Sequence, residues 1–91
     1  MPYIPMEKRE TLDHAIISLA CRILAHEEDE RAGMLNYTIS SLLSRLSKGE
    51  GVNYSNINRM IGVLECVKLE LYRRVASPYE DEKMQSNGDV Y

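Results

Sequence analysis

Tyrosine is the only aromatic residue type in this chain. Its six copies, at 3, 37, 54, 72, 79 and 91, stand without a single Phe or Trp. A tyrosine offers a flat apolar face with a polar tip, which suits ligand walls and subunit contacts more than a sealed core. Toward the C-terminus the rings fall beside cations and amides: Arg73 and Arg74 follow Tyr72, Lys83 lies one helical turn past Tyr79, and Asn87 precedes Tyr91. Guanidinium groups bind phosphate bidentately and aromatic rings stack on bases. Tyr72, Arg73, Arg74, Tyr79, Lys83, Asn87 and Tyr91 therefore form a candidate ligand-binding set suited to a nucleotide. Each member also has a plainer reading. Arg73 and Arg74 near a helix C-terminus would complement its dipole, Lys83 would pair with Glu80 or Tyr79, and the tyrosines would fill subunit contacts.

Catalysis finds less support. His14 and His26 are separated by about 18 Å at a helical rise of ~1.5 Å per residue, too far apart to share a site within one subunit. Cys21 and His26 are five positions apart, an offset that turns their side chains away from each other. Zinc-type spacings are absent, and glycines 33, 49, 51, 62 and 88 match neither a Walker loop nor a dinucleotide fingerprint. Glu65 and Glu70 each have a basic neighbour at helical pairing distance, Lys68 and Arg74, so they read as surface ion pairs. No catalytic residue, metal site or cofactor is expected.

The elements that must hold these residues are helical. Leu12, Ile16, Leu19, Ala20, Ile23 and Leu24 recur at steps of three and four, predicting a helix over 12–26 with a short leading turn after Pro5. The run Glu27-Glu28-Asp29-Glu30, followed by Gly33, is expected to end that helix, since like charges at its negative end repel the dipole. Otherwise the run reads as a solvated face. Leu35, Ile39, Leu42, Leu43 and Leu46 predict a second helix over 35–47, broken at Lys48-Gly49-Glu50-Gly51. Asn53 or Ser55 would cap a third helix over 55–76, whose apolar residues cover more than one face. Such a helix must be central in its bundle or must meet another subunit. Gly62 in mid-helix, on a face with Asn58 and Glu65, suggests close approach of another helix or a ligand.

Pro78 is expected to interrupt the third helix and Ser77 to cap a fourth over 78–86, stopped at Asn87-Gly88. The short end Asp89-Val90-Tyr91 would dock on a neighbour. The expectation is an all-α single helical domain over 1–91, a small bundle of about four helices. It is assembled as a homo-oligomer, with a C-terminal arm 77–91 contacting a neighbouring subunit. The cysteines, 45 positions apart in apolar patterns, read as reduced, buried small hydrophobes.

Ninety-one residues bound the chain to one domain with a small core. Eleven basic against 14 acidic side chains give a formal charge of -3, which argues against a nucleic-acid polymer as partner, because such partners need a basic face. All of that excess lies in the tail, where Lys83 stands against Glu80, Asp81, Glu82 and Asp89. No apolar run approaches the roughly 18 residues of a membrane span, and the N-terminal residues lack secretory-signal features. A cytoplasmic location and no membrane partner are expected.

The opening Met-Pro-Tyr-Ile-Pro, the central Asn53-Tyr54-Ser55-Asn56-Ile57-Asn58-Arg59-Met60-Ile61-Gly62-Val63-Leu64-Glu65-Cys66, and the ending Pro78-Tyr79-Glu80-Asp81 with Asn87-Gly88-Asp89-Val90-Tyr91 resemble a family of small phage and prophage proteins. The likeness spans nearly the whole chain and overlaps with anti-CBASS sponge proteins. It implies a phage counter-defence protein, at work in the bacterial host cytoplasm, that binds a cyclic nucleotide immune signal such as a cyclic dinucleotide without cleaving it. It carries over no ligand residue. The alternative is a structural or regulatory phage protein acting through helix-mediated protein contacts.

Overall fold

The computed structural model describes residues 3–91. Among them there is no strand, and the expected all-α class holds. Three helices form there rather than four. They divide into two compact units, residues 3–57 and residues 58–91.

In the first unit, α1 spans Met6–Leu24. It begins earlier than the apolar spacing alone predicts, because Pro5 takes the N-cap position at φ -53°, ψ 145° and its carbonyl accepts the Lys8 N–H at 3.0 Å. Helix α2 spans Glu28–Glu50, which corrects the reading of the acidic run. Glu28, Asp29 and Glu30 occupy the first turn of α2 rather than ending α1. There the positive end of the dipole and the unpaired N–H groups favour carboxylates. Arg31 then closes the end of α1 from across the hairpin, its Nη2 donating to the Leu24 carbonyl and its Nε to the His26 carbonyl, both at 3.1 Å. Gly33 and Gly49 lie inside α2, and the helix stops at Gly51, whose φ of 102° is open to glycine at little cost.

The third helix, α3, starts as expected at Asn53. Its Oδ1 accepts the Asn56 N–H at 2.9 Å, and the Asn56 side chain returns a bond to the Gly51 carbonyl at 3.0 Å. An α-helical segment, Tyr54–Leu71, runs into a π-helical turn, Tyr72–Ala76, and on into a second α-helical segment, Ser77–Asn87. Pro78 therefore does not interrupt the helix, and Ser77 is not a cap: Ala76 and Ser77 both keep helical dihedrals. The reason is the widened turn. In a regular α-helix the proline ring would meet the carbonyl four residues back and leave it without a donor. Here the Ser77 N–H reaches the Tyr72 carbonyl in an i→i+5 bond, giving the turn one extra residue just before the proline. The stop at Asn87-Gly88 holds, with Gly88 at φ 92°.

No described residue is buried. The buried positions expected for the cysteines are corrected with the rest, as Cys21 and Cys66 are both exposed free thiols. Gly62 has nothing within 4 Å of the position a Cβ would take, so the close approach it suggested is not made within the chain. Apolar side chains at helical spacing define faces on α1, α2 and the first segment of α3, and none of them is fully buried. No helix among the described residues is long and apolar enough to cross a membrane.

Candidate functional site

All seven candidate residues fall in the second unit, 58–91. Three of them, Tyr72, Arg73 and Arg74, are the first three residues of the π turn, a feature that recurs at functional sites. Its effect on side-chain direction is direct. Eight residues along an α-helix turn a side chain by about 80°, but a turn that absorbs one extra residue reduces this to about 20°. Tyr72 and Glu80 thereby face each other, and the Tyr72 hydroxyl donates to Glu80 Oε1 at 2.8 Å. That bond, and then the carboxylate's charge, raise the Tyr72 pKa above its ordinary value of 10.0.

Arg73 and Arg74 converge on one carboxylate. Arg73 Nη2 lies 2.8 Å and Arg74 Nη1 3.9 Å from Glu70 Oε1. Because α3 continues to Asn87, these arginines sit in mid-helix, which corrects the reading that they complement a C-terminal dipole. Lys68 pairs with Glu65 at 2.9 Å, so both expected ion pairs of α3 form.

The remaining four candidates gather at the end of α3. Tyr79, Lys83 and Asn87 follow one another at steps of four, on one side of the helix. Lys83 Nζ stands 5.5 Å from the centroid of the Tyr79 ring, within the range of a cation–π contact. Gly88, at φ 92°, ends the helix, and Val90 and Tyr91 beyond it are fully exposed. An open cleft of about 330 Å³ lies at this end, with Lys83, Asn87 and Tyr91 among its lining residues. Glu80 and Asp89 also line it. Both carboxylates are engaged, Glu80 by the Tyr72 hydroxyl and Asp89 by the Tyr91 N–H at 3.0 Å. The structure thus joins Lys83, Asn87 and Tyr91 at one cleft, with Tyr79 against Lys83, while Arg73 and Arg74 are tied to Glu70.

A second, larger cleft was not legible in the sequence. In the first unit, about 810 Å³ lies between the end of α1 and the start of α2, with Leu19, Ile23, Met34 and Tyr37 as its apolar lining. His26 and Glu30 flank it, Nδ1 to Oε2 at 3.4 Å. The cleft depends on residues 29–34 being helical, the stretch read as the end of α1, so its lining could be assembled only once α2 was known to begin at Glu28. Among the described residues no group of three His, Cys, Asp or Glu side chains could hold a metal ion.

Comparison with known proteins adds a family to this geometry. Residues 1–90 match the family described as a domain of unknown function, DUF6899. The chain belongs to that family. No curated protein and no solved structure is matched.

Proposed function

We propose that this chain is a non-catalytic binding protein that sequesters a cyclic nucleotide signal, such as a cyclic dinucleotide, within a homo-oligomer. One observation carries the reading. Lys83 covers the Tyr79 ring at 5.5 Å and, with Asn87 and Tyr91, lines an open cleft, which sets a cation for phosphate, an amide for a base edge and a ring for stacking around one space. The two acidic neighbours weigh against an anion, but each is held by a hydrogen bond donor. At about 330 Å³ the cleft lies at the low end of the ~300–1,000 Å³ range of ligand pockets. A cyclic dinucleotide extends beyond it, and its second half falls to another copy. Under this reading, and with the resemblance to phage and prophage proteins, the protein is a counter-defence factor acting in the cytoplasm of an infected bacterium.

The test is to incubate the protein with cyclic di-GMP and with cyclic GMP-AMP, remove free nucleotide by ultrafiltration, and then digest the retained protein with protease. Retention followed by recovery of intact nucleotide is the expected result. Recovery of a linear product would make the protein an enzyme, and no retention of either nucleotide would leave the proposal without its ligand class.

A second reading has its own observation. Since no described residue is buried, the exposed apolar faces suit helix-mediated contacts with a partner protein. Retention of no nucleotide, together with a stable complex with a phage or host protein, would favour it.

A further inference from the structure

Seen along α3, the apolar residues form a seam. Ile57, Met60, Leu64, Val67 and Leu71 follow at steps of three, four, three and four, the spacing of facing positions in a coiled coil. Beyond Leu71 the heptad would place Arg74 and Pro78 on the seam. Instead, the π turn of Tyr72–Ala76 absorbs one residue, so that Val75 and Tyr79 take those positions. Steps of four drift by about 40° each on a regular α-helix, and the extra residue cancels that drift. The Tyr72 hydroxyl reaching Glu80 at 2.8 Å records the same realignment on the adjacent face.

This seam remains accessible. Leu64 is 38% and Leu71 61% exposed, Met60 is half-buried, and no residue of the row is buried.

We infer that the seam from Ile57 to Tyr79 is a self-association interface that packs against the same seam of a second copy. The inference rests on the homo-oligomer of the preceding reading and names its contact surface. A second copy fits better than an unrelated partner because the row carries no charged residue from Ile57 to Tyr79. Alternating knobs of this kind are complementary to themselves, as an isologous two-fold contact requires. Tyr79 ends the seam and also lies under Lys83, so the interface runs directly into the proposed ligand cleft.

Light scattering on the full chain, coupled to size exclusion, tests this with Leu64→Glu and with Leu12→Glu on α1 as control. The expected result is a multiple of 10.4 kDa for the wild type and for Leu12→Glu, and the monomer mass for Leu64→Glu with its helical circular dichroism retained. A monomeric wild type would remove both the homo-oligomer and the seam. An unchanged oligomer in a folded Leu64→Glu variant would remove the seam alone. Should Leu64→Glu unfold, cross-linking decides. Val67→Cys, near the middle of the seam in a Cys21→Ser, Cys66→Ser background, should give a covalent dimer with a short bis-maleimide. Cys66, on the opposite side of α3, should not do so in a Cys21→Ser chain. Equal cross-linking of the two chains, or no cross-linking of the chain carrying Val67→Cys, would overturn the assignment.

Discussion

Tyr72 and Glu80 meet across eight residues of one helix, the phenol donating to the carboxylate at 2.8 Å. The contact exists because the π turn between them rotates the second half of α3 into line with the first. It raises the Tyr72 pKa through the hydrogen bond first and the Glu80 charge second. Glu80→Ala removes both, so the Tyr72 pKa should fall back toward 10.0. The check is an absorbance titration of the tyrosinates, wild type minus variant. The stability consequence has a definite sign. A group whose folded-state pKa is raised stabilises the fold fully below its unfolded value and loses that contribution as pH rises through the folded value. The Tyr72–Glu80 contact should therefore support the end of α3 at neutral pH and weaken only above about pH 10. A difference in helicity between wild type and Glu80→Ala at pH 7 should disappear under strongly alkaline conditions.

Pro78 stands between these two residues in sequence, and Pro78→Ala should act on their contact. Restoring an N–H at position 78 lets the turn relax to regular α-helix, which returns Glu80 to about 80° from Tyr72. The expected outcome is a fall in the Tyr72 pKa like that of Glu80→Ala, with helical circular dichroism retained. A Tyr72 titration identical to wild type would show that the π turn persists without the proline.

Gly49 and Gly51, two positions apart, should respond to alanine with opposite signs. Gly49 lies in helical backbone with open space where a Cβ would go, so Gly49→Ala should stabilise the chain by about 1 kcal/mol. Gly51 holds φ at 102°, and Gly51→Ala should cost about 1–2 kcal/mol. Urea unfolding followed at 222 nm separates the two, with midpoints moving in opposite directions.

Tyr91 is an aromatic residue lining the proposed ligand cleft. Stacking on a base is worth about 1–3 kcal/mol, so Tyr91→Ala should weaken cyclic dinucleotide retention some 5- to 150-fold, about tenfold for each 1.4 kcal/mol. Isothermal titration against the wild type and against a chain ending at Asn87 measures it. Unchanged affinity in both would remove Tyr91 from the site.

The helical class is legible in the amino-acid pattern, because apolar steps of three and four admit no strand reading. Two helix ends are legible for the same kind of local reason. Asn53 caps α3 through its own side chain, and Asn87-Gly88 ends it through a positive φ, both properties of a few adjacent residues. The ion pairs of Glu65 and Glu70 follow from helical spacing in the same way.

Other features were decided only in three dimensions. Glu27 to Glu30 carry the same charges whether they end one helix or begin the next. The choice went to α2 because the positive end of its dipole favours carboxylates in the first turn while Arg31 reaches back to cap α1. Pro78 reads as a break because a regular α-helix has no place for it, and the alternative, one extra residue in the preceding turn, is invisible to a pattern of fixed period. The candidate site divides between two places on the chain. Arg73 and Arg74 meet Glu70 at ordinary helical spacing, whereas Lys83, Asn87 and Tyr91 line a cleft that takes its shape from the path of the backbone after Gly88.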